Sequence, residues 1–156
     1  MKWLAILLAS LLVLLACWVA ANGEGQFEEG VGYSSRYFLR PSAGVQVEGW
    51  RSIRFSDETF YFSYLENSSL GTGTGKMQGH IESQMGRFMV LSVESGSHQG
   101  QSDLTQLPGA ENMYLDREYI TTPGNLIHVV MLPRRYKGSI CYYLVEFRSV
   151  ECKSQY

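Results

Sequence analysis

Three histidines, three cysteines and two glycine-rich stretches are the residues whose types are most suggestive of chemistry. His80, His98 and His128 show no ligand spacing among themselves, so no metal site is assigned. Gly71-Thr72-Gly73-Thr74-Gly75-Lys76 has the outline of a phosphate-binding loop. That motif needs Gly where Leu70 stands and Ser or Thr where Met77 stands, and it must open a helix. Here it leads into a strand-like run, so a flexible hairpin loop is expected. Gly96-Ser97-His98-Gln99-Gly100 carries its Ser one place too early for a nucleophile elbow. Ser97 and His98, adjacent on an extended chain, point in opposite directions. Glu28-Glu29 lies in a glycine-rich stretch that cannot hold a rigid acid–base pair. No catalytic residue and no cofactor is assigned.

Two cysteines carry a sharper expectation. Cys141 and Cys152 are eleven positions apart, which on one extended strand is roughly 36 Å. A disulfide needs Cα atoms within about 7 Å. They pair only if the strand ends near Phe147–Ser149 and the tail folds back. An oxidising compartment would favour that pairing.

The N-terminus argues for such a compartment. After Lys2, the run Trp3–Ala21 holds 19 residues without a charge. Three readings stand. It is a secretory signal cut after Ala21, behind the small residues of Val19-Ala20-Ala21. It is a retained anchor, since 19 residues at about 1.5 Å rise reach roughly 28 Å. Or it is a lipoprotein leader: Leu14-Leu15-Ala16-Cys17 resembles the lipobox of bacterial lipoproteins, which implies a lipid on Cys17. All three place residues 22 onward outside the cytoplasm, next to a membrane in the last two.

The remaining chain is suited to one β domain. Ten Tyr residues favour pleated, half-buried surfaces. The formal net charge of −2 supplies no electrostatic footprint for nucleic acid. The basic group Arg134, Arg135 and Lys137 reads as a soluble hairpin tip. Residues 1–21 are taken as signal or anchor, 22–43 as linker and lead-in loop, and 44–156 as the β domain. Strands are expected at 45–55, with Val45, Val47, Gly49, Arg51, Ile53 and Phe55 on one face, and at 59–65, with Phe60, Phe62 and Tyr64 on one face. Further strands are expected at 76–83, 87–95, 119–122, 125–132 and 140–150. Pro123-Gly124 suits the centre of a type II turn.

About seven strands in an antiparallel meander, with no amphipathic helix to back them, point to an all-β fold. The expected form is a small up-and-down barrel like a lipocalin, or two packed sheets. Gly49-Trp50 is similar to the Gly-x-Trp of lipocalins without the spacer residue; Trp50 itself is expected in the core.

The expected activity is non-catalytic: an extracytoplasmic binding module with a small apolar ligand in its barrel. Phe60, Phe62, Tyr64, Met89, Leu91 and His128 are the candidate lining, and residues 96–116 a candidate lid. One alternative is an inhibitor or immunity-type protein that binds an envelope protein through loops 66–75, 96–116 and 134–138. A second is an envelope enzyme, which requires polar side chains converging in one cleft.

Overall fold

The computed structural model describes residues 2–22, 27–42, 45–69, 71–100, 117–132 and 139–156. The chain opens with α1 (Lys2–Asn22). Its large side chains, from Trp3 to Val19, are apolar and exposed. Among the described residues no helix is long and apolar enough to cross a membrane.

Eight antiparallel strands follow in sequence order and close into a barrel, β1 pairing with β8. They are β1 (Gly32–Ser42), β2 (Val45–Ser56), β3 (Thr59–Ser68), β4 (Gly71–Met85), β5 (Phe88–Gly100), β6 (Leu126–Met131), β7 (Ser139–Leu144) and β8 (Ser149–Gln155). The expected all-β meander barrel is therefore what the chain forms. Closure follows from the side-chain pattern. Each strand sends one alternating set of residues inward, and a cylinder buries that set without leaving an edge. The inward set of β2 holds Val47, Gly49, Ile53 and Phe55; that of β3 holds Phe60, Tyr64 and Glu66. β5 contributes Met89, Leu91 and Val93, and β6 contributes Ile127, Val129 and Met131.

Three large aromatics fit into this lumen because glycines face them across the ladder. Tyr37 is paired with Gly49, Tyr64 with Gly75, and Phe60 with Gly79. A Cβ on Gly49 or Gly75 would fall 2.1 Å from the facing tyrosine ring. The glycines of the stretch expected to be a flexible loop, residues 66–75, are thus ladder positions in β4, facing residues of β3. Their lack of a side chain is what lets the rings lie over the backbone.

Several expected boundaries shift. The lead-in loop is β1, and Phe27 packs on Tyr33, Phe55 and Tyr142 at centroid distances of 5.3, 4.2 and 5.4 Å. The barrel therefore begins ahead of residue 44. Gly32-to-Ser42 hides its period because its inward residues, Tyr33, Ser35 and Tyr37, are polar-tipped. The strand expected at 119–122 is a short helical turn, residues 117–121. There the Thr121 and Thr122 hydroxyls donate to the carbonyls of Arg117 and Glu118 at 3.0 and 2.9 Å. The Pro-Gly turn follows as expected: Gly124 has φ 85° and the Asn125 N–H donates to Thr122 O at 3.4 Å. The single strand expected at 140–150 is two, β7 and β8, joined by residues 145–148. No glycine marks that reversal because Arg148 itself takes the positive φ, 47°. It sets Cys141 directly opposite Cys152, and the two form a disulfide with Cα atoms 4.0 Å apart. The basic tip at Arg134, Arg135 and Lys137 lies outside the described residues.

Candidate functional site

Inside the barrel lies a cavity of about 50 Å³. Most of its wall is apolar: Ile53, Phe55, Phe62, Leu91, Ile127 and Val129, with Phe27 and Ile120 also in contact. Into the same wall project Arg51, Tyr64, Glu66, Arg117, Tyr142 and Glu151. The strands position these groups by their period of two. Arg51 occupies the inward set of β2 between Gly49 and Ile53. Glu66 continues the inward run Phe60, Phe62, Tyr64 on β3. Glu151 and Lys153 are two successive inward positions on β8.

Arg117 arrives by a different route. The helical turn 117–121 lies directly over β5. A Cβ on Gly96 would fall 1.9 Å from the Ile120 carbonyl oxygen, so only glycine permits this approach. Ile120 and Arg117 are thereby buried, and the Arg117 Nη2 donates to Glu66 Oε2 at 2.6 Å. The Tyr37 hydroxyl donates to the other oxygen, Oε1, at 2.6 Å. In an adjoining cluster, Arg51 Nη1 donates to Glu151 Oε1 at 2.7 Å. Tyr142 and Lys153 reach Glu151 Oε2 at 3.0 and 2.9 Å. Lys153, 1% exposed, also donates to Ser35 Oγ at 3.2 Å. The Arg51 guanidinium lies 4.6 Å from the centre of the Tyr37 ring, between the two clusters.

Burial and these charges set the protonation states. Burial pushes the Tyr64 phenol up to about 12, against the pull of Arg117. Burial raises Tyr37 and Tyr142 as well. His98, 2.5 Å from the Tyr64 hydroxyl through Nδ1, is held below its usual value by burial and then by Arg117. Burial would raise Glu151, but Lys153 and Arg51 outweigh it, and the carboxyl sits below its ordinary value. Burial lowers Lys153, with Glu151 opposing.

These pairings leave donor capacity in reserve. Both oxygens of Glu66 are engaged, while Arg117 Nε and His98 Nε2 are buried without a hydrogen-bond partner among the described residues. Of the two, only Arg117 borders the cavity, and its guanidinium is suited to holding a hydrogen-bond acceptor there.

Of the lining residues expected from sequence, Phe62, Tyr64 and Leu91 border the cavity. Phe60 and Met89 are core residues, 0% and 4% exposed, that do not border it. His128 faces outward, its Nδ1 2.5 Å from Glu146 Oε1 and its N–H donating to Glu146 Oε2 at 2.9 Å. Residues 125–132 are apolar on both faces, so periodicity did not distinguish its outward position from that of Ile127. Trp50, expected in the core, is 54% exposed on the barrel's outer wall, because the inward set of β2 is the odd-numbered one. Of the expected lid, residues 96–100 continue β5 and 101–116 lie outside the described residues. His80 bridges Glu94 through Nδ1 and Glu82 through Nε2, both at 3.0 Å, from opposite sides of its ring.

Arg51, Glu66, Arg117, Glu151, Lys153 and His98 were not among the residues expected to line the barrel. For two of them a signal was present: Arg51 interrupts an otherwise apolar alternating face, and Glu66 ends another. Arg117 had none, since its position depends on the turn that carries it. Comparison with protein-family models and with curated proteins gives no match.

Proposed function

We propose that this chain is a non-catalytic binding module that works outside the cytoplasm and holds a small ligand in its barrel. The observation that carries this reading is the internal apolar cavity with polar groups gathered in its wall. Its volume limits the ligand. A water needs about 10–15 Å³ by this measure, so about 50 Å³ takes only a few heavy atoms. Sites for drug-sized ligands start near 300 Å³, so a long-chain fatty acid does not fit this lumen. Export is supported by the uncharged run Trp3–Ala21 and by the disulfide Cys141–Cys152, whose Cys152 is exposed. A solvent-facing disulfide is expected to persist in an oxidising compartment. Signal cleavage after Ala21, retention of α1 and lipidation at Cys17 differ in the intact mass of the isolated protein.

The test is titration of the oxidised full chain with small neutral compounds such as methanol and formamide, followed through the Met77 methyl resonance. Saturable one-to-one shifts that vanish in Leu91→Phe, which fills the cavity, are expected. An absence of saturable shifts with every compound sinks this reading.

A second reading, a module that binds an envelope protein, is favoured by one surface feature. Phe38, Trp50, Leu65 and Tyr156 are exposed at 56, 54, 46 and 75%. Trp50 and Leu65 face each other across the β2–β3 ladder on the outer wall. Exposed apolar groups that adjoin one another are typical of contact surfaces. A stoichiometric partner recovered from envelope extract by the native chain, and lost with Trp50→Ser, would favour this second reading.

A further inference from the structure

We infer that the outer face of β5–β8 is a membrane-contact surface, on which a row of apolar side chains from Met85 to Val150 lies against the lipid bilayer. This goes beyond the ligand of the lumen and rests on the export reading above, with the chain held at the membrane by α1 or by a lipid on Cys17.

Three observations converge on it. The first is the row itself. Met85 pairs with Phe88, Phe88 with Val130, Val130 with Tyr143 and Tyr143 with Val150, so β4 to β8 set five apolar side chains side by side. On β5 to β8 these are outward positions, because the alternate residues Met89, Val129, Tyr142 and Glu151 face the interior. Met85, Phe88 and Val150 are 78, 58 and 59% exposed. His128, outward in the neighbouring row opposite Val90, is paired with Glu146 and brings no lone charge to the face. The second is the contrast with β2–β4, whose outward positions include Glu48, Arg54, Asn67, Thr72 and Lys76. A barrel that is apolar on one side does not span a bilayer; it lies in the interface with that side towards the acyl chains. The third is where the chain arrives. After Lys2, α1 carries no charge, and its large side chains are apolar and exposed. Asn22 is five steps from Phe27, which packs in the barrel, so at most roughly 18 Å separates them. From Cys17 the reach is roughly 36 Å. The chain then meets the β2–β3 turn: Gly30 N–H donates to Phe55 O at 2.7 Å and Asp57 N–H to Glu29 Oε1 at 3.4 Å. In a meander the β2–β3 and β4–β5 turns share one end, so the tether reaches the end where Met85 and Phe88 flank Gly86. There β4 runs on past β3. The ladder stops at Thr59↔His80, and Glu82–Met85 extend roughly 13 Å along the strand beyond Ile81.

The methionines report on this contact. The oxidised full chain, methyl-labelled at methionine, is reconstituted in phosphatidylcholine nanodiscs that include a lipid with a nitroxide near its headgroup. The Met85 methyl signal should be lost to broadening. The signal of Met77, eight positions away and roughly 26 Å along β4, should persist. The variant Phe88→Ser/Val150→Ser changes two exposed positions and keeps Met85 as the reporter. It should stay in the nanodisc and recover the Met85 signal. If Met85 persists in the native chain seated in the nanodisc, the contact surface is overturned while anchorage stands. If the double variant loses the Met85 signal as fully as the native chain, the tether alone sets the distance and the contact surface is again overturned. If the chain does not enter the nanodisc, anchorage fails and the proposal with it, while the titration of the lumen still decides the binding module. If Met85 shifts with protein concentration and not with the lipid label, a second copy covers the row and the proposal fails.

Discussion

In the lumen Glu66 is 3% exposed and held between Tyr37 and Arg117. A buried ion pair adds little net stability, but removing one partner strands the other. Arg117→Met should therefore destabilise the barrel by about 3 kcal/mol in urea denaturation, and adding Glu66→Gln should recover most of the loss. Glu151 gives a pH signature. Its folded pKa lies below the ordinary 4.5, with Lys153 and Arg51 overcoming the opposing effect of burial. An acid depressed in the folded state contributes stability that is fully present above the unfolded value and is lost as pH falls through the folded one. The difference in Tm between the native chain and Glu151→Gln should be constant above pH 4.5 and shrink on acidification below it. A difference that grows on acidification would contradict the assigned ion pairs.

At the scale of elements, the cross-strand glycines do what side chains do elsewhere. Gly79 faces Phe60, and a Cβ there would also fall 1.9 Å from the Ser92 carbonyl oxygen, a backbone atom that cannot swing away. At Gly75 the nearest atoms belong to the Tyr64 ring. Overpacking a full interior costs about 1–3 kcal/mol, with backbone conflicts at the upper end. Gly79→Ala should thus lower the thermal midpoint more than Gly75→Ala. Gly75→Ala should in addition disturb the Tyr64–His98 hydrogen bond, read as a shift in the His98 imidazole resonances. The register breaks on the long β4–β5 pair, at Gln78/Gly79 and Ile81/Ser83, bend these strands around the cylinder.

At the scale of the molecule, the shortest ladder among the described residues is the β1–β8 seam, with Tyr33↔Gln155 and Ser34↔Ser154 in register. The disulfide secures the β7–β8 hairpin that supplies one side of this seam. Cross-linking a loop of this length restricts the unfolded chain by about 2–3 kcal/mol. Cys141→Ser/Cys152→Ser should lose roughly that much stability in urea denaturation. Hydrogen exchange should accelerate first at Tyr33, Ser34 and Ser154, where the seam opens. Uniform acceleration across all eight strands would instead mean that the hairpin and the barrel fail together.

By itself the sequence determined the class of fold and the alternation of several of its strands. Alternation of apolar residues at 45–55, 59–65 and 87–95 marks half-buried strands, because a strand's side chains reach opposite faces in turn. Turn residues placed most of the hairpins. It also marked Cys141 and Cys152 as a pair conditional on one reversal. Tertiary structure alone decided the rest. Which face is inward is undetermined where both faces are apolar, as at His128, or where the inward groups are polar, as in β1. Glycines read as flexible until the rings of Tyr37, Phe60 and Tyr64 are seen against them, since a ladder partner is remote in sequence. The charged cluster of the lumen was hidden for the same reason. Arg51 meets Glu151, and Glu66 meets Arg117, across separations of 100 and 51 residues, and only barrel closure brings them together.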